Sequence, residues 1–137
     1  MIALALATTI LMAIPAIGGG RPLSADLLAT NEVPPSGTGA SGTANVTLNQ
    51  GRGEVCVDIT TSGLSAPVVA GHIHQAPAGV NGGVVVNLGV DSADYSACIG
   101  DVDGDLIKDI RQNPQSYYIN IHTSAVPSGE IRGQLSK

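Results

Sequence analysis

The segment GHIHQAPAG, residues 71–79, carries His72 and His74 two positions apart, and YYINIHTS, residues 117–124, carries His122; these are the three histidines of the chain. On an extended strand, residues i and i+2 share a face with their Cα atoms roughly 6.5 Å apart, so the first two imidazoles can converge on one ion. A third imidazole from a neighbouring strand would complete an all-nitrogen set with bonds of about 2.0 Å and leave one coordination position open to water or a small ligand. Imidazole suits both copper and zinc, and the Irving–Williams order puts copper ahead of zinc. Each ring must be neutral to ligate, so an ordinary pKa of about 6.5 predicts loss of metal in acid. The competing reading is three solvated histidines on the outside of a sheet.

Ile73 alternates with His72 and His74, while Ile119 and Ile121 alternate with Tyr118, Asn120 and His122. Strand side chains point to opposite faces in turn, so the isoleucines are expected to face the core and the histidines to face away from it, with Tyr118 and Asn120 beside them. In GEIRGQL, residues 129–135, Glu130, Arg132 and Gln134 alternate with Ile131 and Leu135. Arg132 is thereby expected on the histidine side, either drawing an anion toward a metal or forming a structural ion pair with Glu130 or Glu32.

The elements that must position these groups are strands. Ala44, Val46 and Leu48 alternate with polar residues, NQGRG at 49–53 supplies a turn, and Val55, Val57 and Ile59 resume the alternation, which predicts a hairpin. Further strands are expected at 24–30, 67–74, 83–88, 95–99, 117–122 and 130–135, giving about eight short strands. The predicted fold is all-β, an antiparallel Greek-key sandwich or barrel. One short helix is expected at 105–113, where Leu106, Ile107 and Ile110 fall on one side and Pro114 stops the pattern.

A length of 137 residues with 43% apolar content suits one core, and a single domain is predicted over residues 21–137. Residues 1–20 lack charge, run apolar from Ile2 to Ile14 and break into Pro15 and a glycine triplet, which reads as a signal peptide cleaved near Ala16 or Gly18. That run falls short of the ~20 residues of a membrane span, so no span is expected in the exported protein. Its localisation would be secreted, periplasmic or at the cell surface. Six basic residues against eleven acidic ones, with neither Trp nor Phe, argue against a nucleic-acid partner. The two methionines, Met1 and Met12, both lie in the leader, so no thioether ligand would remain. Cys56 and Cys98 are expected to pair, since an oxidising compartment favours the disulfide over free thiolate ligands; closing a loop of this size is worth roughly 4 kcal/mol in the chain-entropy model.

Other motifs are weak. GDVDGDL, residues 100–106, alternates three aspartates, but its glycine is misplaced for a calcium loop and Gln112 stands where the final glutamate belongs, so it reads as an acidic turn. No G-x-S-x-G elbow supports nucleophilic catalysis. Asn45 opens an NVT glycosylation acceptor, of consequence only in a eukaryotic source.

The stretches LLATNEVPPSGTGASGTANVTL (27–48), VAGHIHQAPAGVNGGVVVNL (69–88) and YYINIHTSAVPSGEIRGQL (117–135) resemble the CHRD domain, named from its occurrence in chordin. The resemblance implies a secreted or cell-surface β-domain and little about activity. In chordin such domains belong to a large extracellular protein that sequesters growth factors, and nothing in these residues points to such a partner; a separate alternative is an adhesion or protein-interaction module whose sheet presents surface to another extracellular protein. The histidines are also similar to the copper site of copper-zinc superoxide dismutases, where an H-V-H strand pair and a later histidine hold copper. His72, His74 and His122 match those positions. No histidine remains to bridge copper to zinc or to build a zinc site, so a copper-only redox enzyme is a second alternative to simple copper binding.

Overall fold

The computed structural model describes residues 22–137; the expected leader at 1–20 lies outside the described residues. Eight strands, β1 (Leu23–Leu28), β2 (Ser41–Asn49), β3 (Glu54–Ser62), β4 (Val68–Gln75), β5 (Gly83–Asn87), β6 (Tyr95–Ile99), β7 (Tyr117–Thr123) and β8 (Ile131–Gln134), join one helix, α1 (Gly104–Gln112). The strands form a single antiparallel sheet in the order β5-β4-β7-β8-β1-β2-β3-β6, curled into a half-barrel whose two edges are β5 and β6. The chain crosses the sheet three times, from β3 to β4, from β5 to β6 and from β6 to β7, so segments distant in sequence become neighbours. The expected all-β architecture with one short helix is therefore present, as one curled sheet and not two stacked ones.

The alternation in the sequence explains which side is concave. Leu23, Ala25 and Leu27 of β1, Ala44, Val46 and Leu48 of β2, and Val55, Val57 and Ile59 of β3 are all buried, while their neighbours Ser24, Asp26, Asn45 and Asp58 are exposed. Register stacks them in rows, Ala25 against Ala44 against Ile59, and Leu23 against Val46 against Val57. The predicted hairpin closes through a 3-10 turn at Gln50–Arg52, and Gly53 takes the left-handed conformation (φ 61°) that ends it. Cys56 lies directly opposite Cys98 in the β3–β6 ladder, on the convex side, and the two are joined in a disulfide.

The acidic turn has a structural task. Asp103 accepts hydrogen bonds from the backbone N–H groups of Asp105 and Leu106 at 2.7 and 3.0 Å, so it caps the helix that follows. Helix α1 begins at Gly104, one residue before the expected start, because that cap fixes its first turn, and it buries Ile107 and Ile110 in the core.

One strand departs from simple alternation. Tyr117 to Ile121 of β7 are buried at every position, on both faces of the strand. β7 is central in the sheet; its isoleucines enter the core, while its convex face is covered by the segments before β5 and before β8. Behind β4, Gly71 leaves room that its neighbours occupy: a Cβ there would sit 2.4 Å from Val90 Cγ2 and 3.1 Å from Ile121 Cδ1. Gly71→Ala is expected to lower unfolding free energy by about 1–3 kcal/mol through overpacking, read as a lower urea midpoint with an unchanged slope; a midpoint equal to wild type would contradict this packing.

Candidate metal centre

β4 and β7 run antiparallel with Ala70 opposite His122, His72 opposite Asn120 and His74 opposite Tyr118. His72 and His74 therefore leave β4 on the convex face, and His122 leaves β7 on that same face beside the small side chain of Ala70. The three rings converge, with centroids 5.4 Å (His72–His74), 4.9 Å (His72–His122) and 6.0 Å (His74–His122) apart. One ring nitrogen from each lies within 4.8 Å of the others, and His72 Nδ1 is 3.1 Å from His122 Nε2. Three nitrogens about 2.0 Å from a common ion stand roughly 3.3–3.5 Å apart, so a closure of about an ångström completes the set.

Backbone carbonyls fix which nitrogens are free. His74 Nδ1 is 2.9 Å from the carbonyl oxygen of Gly82, and His122 Nδ1 is 2.9 Å from that of Pro127. A carbonyl only accepts, so both Nδ1 atoms carry the proton and both Nε2 atoms present lone pairs. The Nε2 of His122 accepts from His72 Nδ1. The Nε2 of His74 is buried with no hydrogen-bond partner, the one such side-chain atom among the described residues. A buried polar nitrogen without a partner costs stability unless something occupies it. Metal-bound histidines commonly hold their second N–H against a carbonyl in this manner.

The surroundings hold the rings in place. The β4–β5 ladder shifts register between Ile73 and His74, and this bulge lies where His74 turns into the cluster. Tyr118 stacks on His74 with centroids 4.8 Å apart and planes at 6°, and its hydroxyl accepts from the N–H of Gly82 at 3.1 Å. Gly82 is irreplaceable by any larger residue without a shift, because a Cβ there would lie 1.9 Å from the Gln75 carbonyl oxygen. Asn120 is buried and donates to the Glu32 carboxylate and to the Ile131 carbonyl. Arg132 is 1% exposed. It donates to Asn81 Oδ1, to the carbonyls of Pro77 and Val80 and to Gln134 Oε1, and lies 3.4 Å over the Tyr118 ring. None of its hydrogen bonds goes to Glu32 or Glu130, which corrects the expected ion pair: Glu130 is instead taken by Thr123 Oγ1 and the Ser65 N–H. At 1% exposure Arg132 presents almost no surface to solvent, and the hydrogen bonds it makes go to neutral acceptors. Two residues that orient the cluster, Gly82 and Pro127, act through carbonyls, which have no signature in residue type. A second cluster of metal-capable types, Glu54, Cys56 and Cys98, has its sulfurs tied up in the disulfide.

Protonation follows from burial and crowding. Burial, then the neighbouring His122 and His74, hold the His72 pKa below its usual 6.5. Burial is the main cause for His74 as well; the Gly82 hydrogen bond works against it, while His122 and Arg132 push further down. Both rings are thus neutral at pH 7 and stay so into mild acid. Nitrogen-detected NMR titration of the metal-free protein should place both midpoints under about 6.5; midpoints at or above that value would contradict the geometry. The unfolded chain takes up these protons first, so the stability contributed by the neutral rings is present above about pH 6.5 and is lost as pH falls toward the lowered folded values. Glu32 has the opposite sign: burial raises its pKa from 4.5 to about 7, against the Asn120 hydrogen bond and Arg132. Its contribution is full below about 4.5 and lost as pH rises through 7, so Glu32→Gln should gain on wild type in urea midpoint between pH 5 and 8. A constant difference across that range would contradict this.

The described residues contain no helix long and apolar enough to cross a membrane. Comparison with curated proteins gives no match, and neither does comparison with solved structures. The family model described as the CHRD domain matches residues 23–135, from the first residue of β1 to the residue after β8, and so spans every strand that builds the sheet and both strands that bear the histidines. By that match the chain belongs to the CHRD domain family.

Proposed function

We propose that this chain binds one metal ion, copper ahead of zinc, through Nε2 of His74, Nε2 of His122 and Nδ1 of His72, and holds it for storage, delivery or handling outside the cytoplasm. The observation that carries the reading is the buried, unpartnered Nε2 of His74, on a ring that clusters with two further imidazoles. A set of three neutral nitrogens with one side open matches the ligand preferences of copper and zinc, and the Irving–Williams order favours the former.

The protein's part is orientation. The carbonyls of Gly82 and Pro127 hold two rings in the tautomer that frees Nε2, and an arriving ion replaces the His72–His122 hydrogen bond. His72 then needs its proton on Nε2, a tautomeric shift that leaves the ring neutral. Coordination, and not turnover of an anionic substrate, fits the engagement of Arg132 by neutral acceptors. The Cys56–Cys98 disulfide fits an oxidising compartment, in keeping with the leader expected at residues 1–20.

Titration with Cu2+, Cu+ and Zn2+ tests the reading. The wild-type chain should take up one equivalent, and the H72A/H74A/H122A variant none at comparable concentration. The chain has three tyrosines and no Trp, so quenching of tyrosine emission gives a second readout through Tyr118 stacked on His74. Equal uptake by the two proteins would remove the assignment.

A further inference from the structure

The geometry points to a charge-selective site: we propose that the histidine cluster favours the monovalent soft ion Cu+ over Cu2+ and Zn2+, and that Arg132, acting through the Tyr118 ring, sets this preference. The inference rests on the metal-binding reading above and concerns the oxidation state that the same site retains.

The donor set is uncharged. The cluster comprises three imidazoles, with no carboxylate or thiolate within ligand reach of them among the described residues. Withdrawing an ion from water into such a set leaves its charge uncompensated, and the penalty rises with that charge. A divalent ion is penalised more than a monovalent one.

A fixed cation stands behind one ligand. β7 lies between β4 and β8 in the sheet, so His74 meets the Tyr118 ring from one side and Arg132 meets it from the other. The guanidinium is one aromatic ring's thickness from the His74 imidazole and, at 1% exposure, is shielded from screening by water. Its hydrogen-bond acceptors are amide oxygens and backbone carbonyls. Neither nearby carboxylate hydrogen-bonds to it: Glu32 holds Asn120 and meets the guanidinium only through space, and Glu130 is buried against Thr123 and Ser65. Burial also raises the proton affinity of Glu32, to a pKa of about 7, so its charge is only partly developed at neutrality. At a separation on the order of 8–10 Å and an effective dielectric of about 20, each additional unit of positive charge on the bound ion is disfavoured by roughly ten- to thirtyfold.

The test is an equilibrium redox titration of the copper-loaded chain, followed by the Cu2+ paramagnetic signal, for wild type, R132Q and R132K. At 59 mV per tenfold for one electron, R132Q should lower the midpoint potential by about 60–90 mV. R132K keeps the charge and should stay near wild type. Equal potentials for wild type and R132Q would overturn the proposal, and so would a fall in R132K as large as that in R132Q, which would assign the effect to shape and not charge. Should R132Q fail to fold, judged by its near-ultraviolet circular dichroism, the wild-type chain decides: anaerobic retention of Cu+ against equimolar Zn2+ is the expected result, and displacement by Zn2+ overturns the proposal. Failure of folded wild type to take up copper in either oxidation state would overturn the metal-binding reading itself and this inference with it.

Discussion

The antiparallel register of β4 against β7 is the constraint on which the rest of this molecule depends. With Ile73 opposite Ile119, both isoleucines enter the core and the histidines of both strands emerge together on the convex face. A slip of one residue would exchange faces, driving imidazoles into an apolar interior and exposing isoleucines, so the burial that stabilises the sheet also assembles the cluster. The same pairing places Tyr118 beside His74 and Asn120 beside His72, which brings the polar groups around the rings into position.

Covering the convex face changes the character of those polar groups. An uncovered antiparallel sheet would leave its second face wet, with each side chain free to choose a partner from water. Here Arg132, Asn120, Glu32 and Glu130 are buried and bound to specific partners, so the histidine cluster stands on a desolvated layer with fixed hydrogen bonds. Such a layer is rigid because breaking any one contact would strand a buried polar atom. The lone exception is His74 Nε2, which is why the cluster and not the surrounding layer reads as the place where a ligand belongs.

Much of the architecture was legible in the residues. The alternation in β1, β2 and β3 gave strand positions to within two or three residues, the Cys56–Cys98 pairing followed from compartment logic, and the faces of His72, His74 and His122 followed from their isoleucine neighbours. The role of Asp103 as a helix cap was not separable from a generic acidic turn, because the cap depends on where the helix begins. The ion pair expected for Arg132 failed for a related reason: charge complementarity in sequence names candidate partners, but loops at 76–82 bring carbonyls and an amide closer to the guanidinium than any carboxylate.

By itself, then, the sequence determined which side chains of the alternating strands face inward, that the chain forms antiparallel β-structure with a short helix, and which three nitrogen ligands were available. Those are properties of period and residue type, and they act locally. Tertiary structure alone decided that His122 reaches His72 across a strand pair closed by the crossover from β6 to β7, that Gly82 and Pro127 select the free nitrogens, and that Arg132 is sequestered behind Tyr118. These contacts join residues tens of positions apart through backbone carbonyls and ring faces, groups that every chain possesses and whose use is set only when the sheet closes.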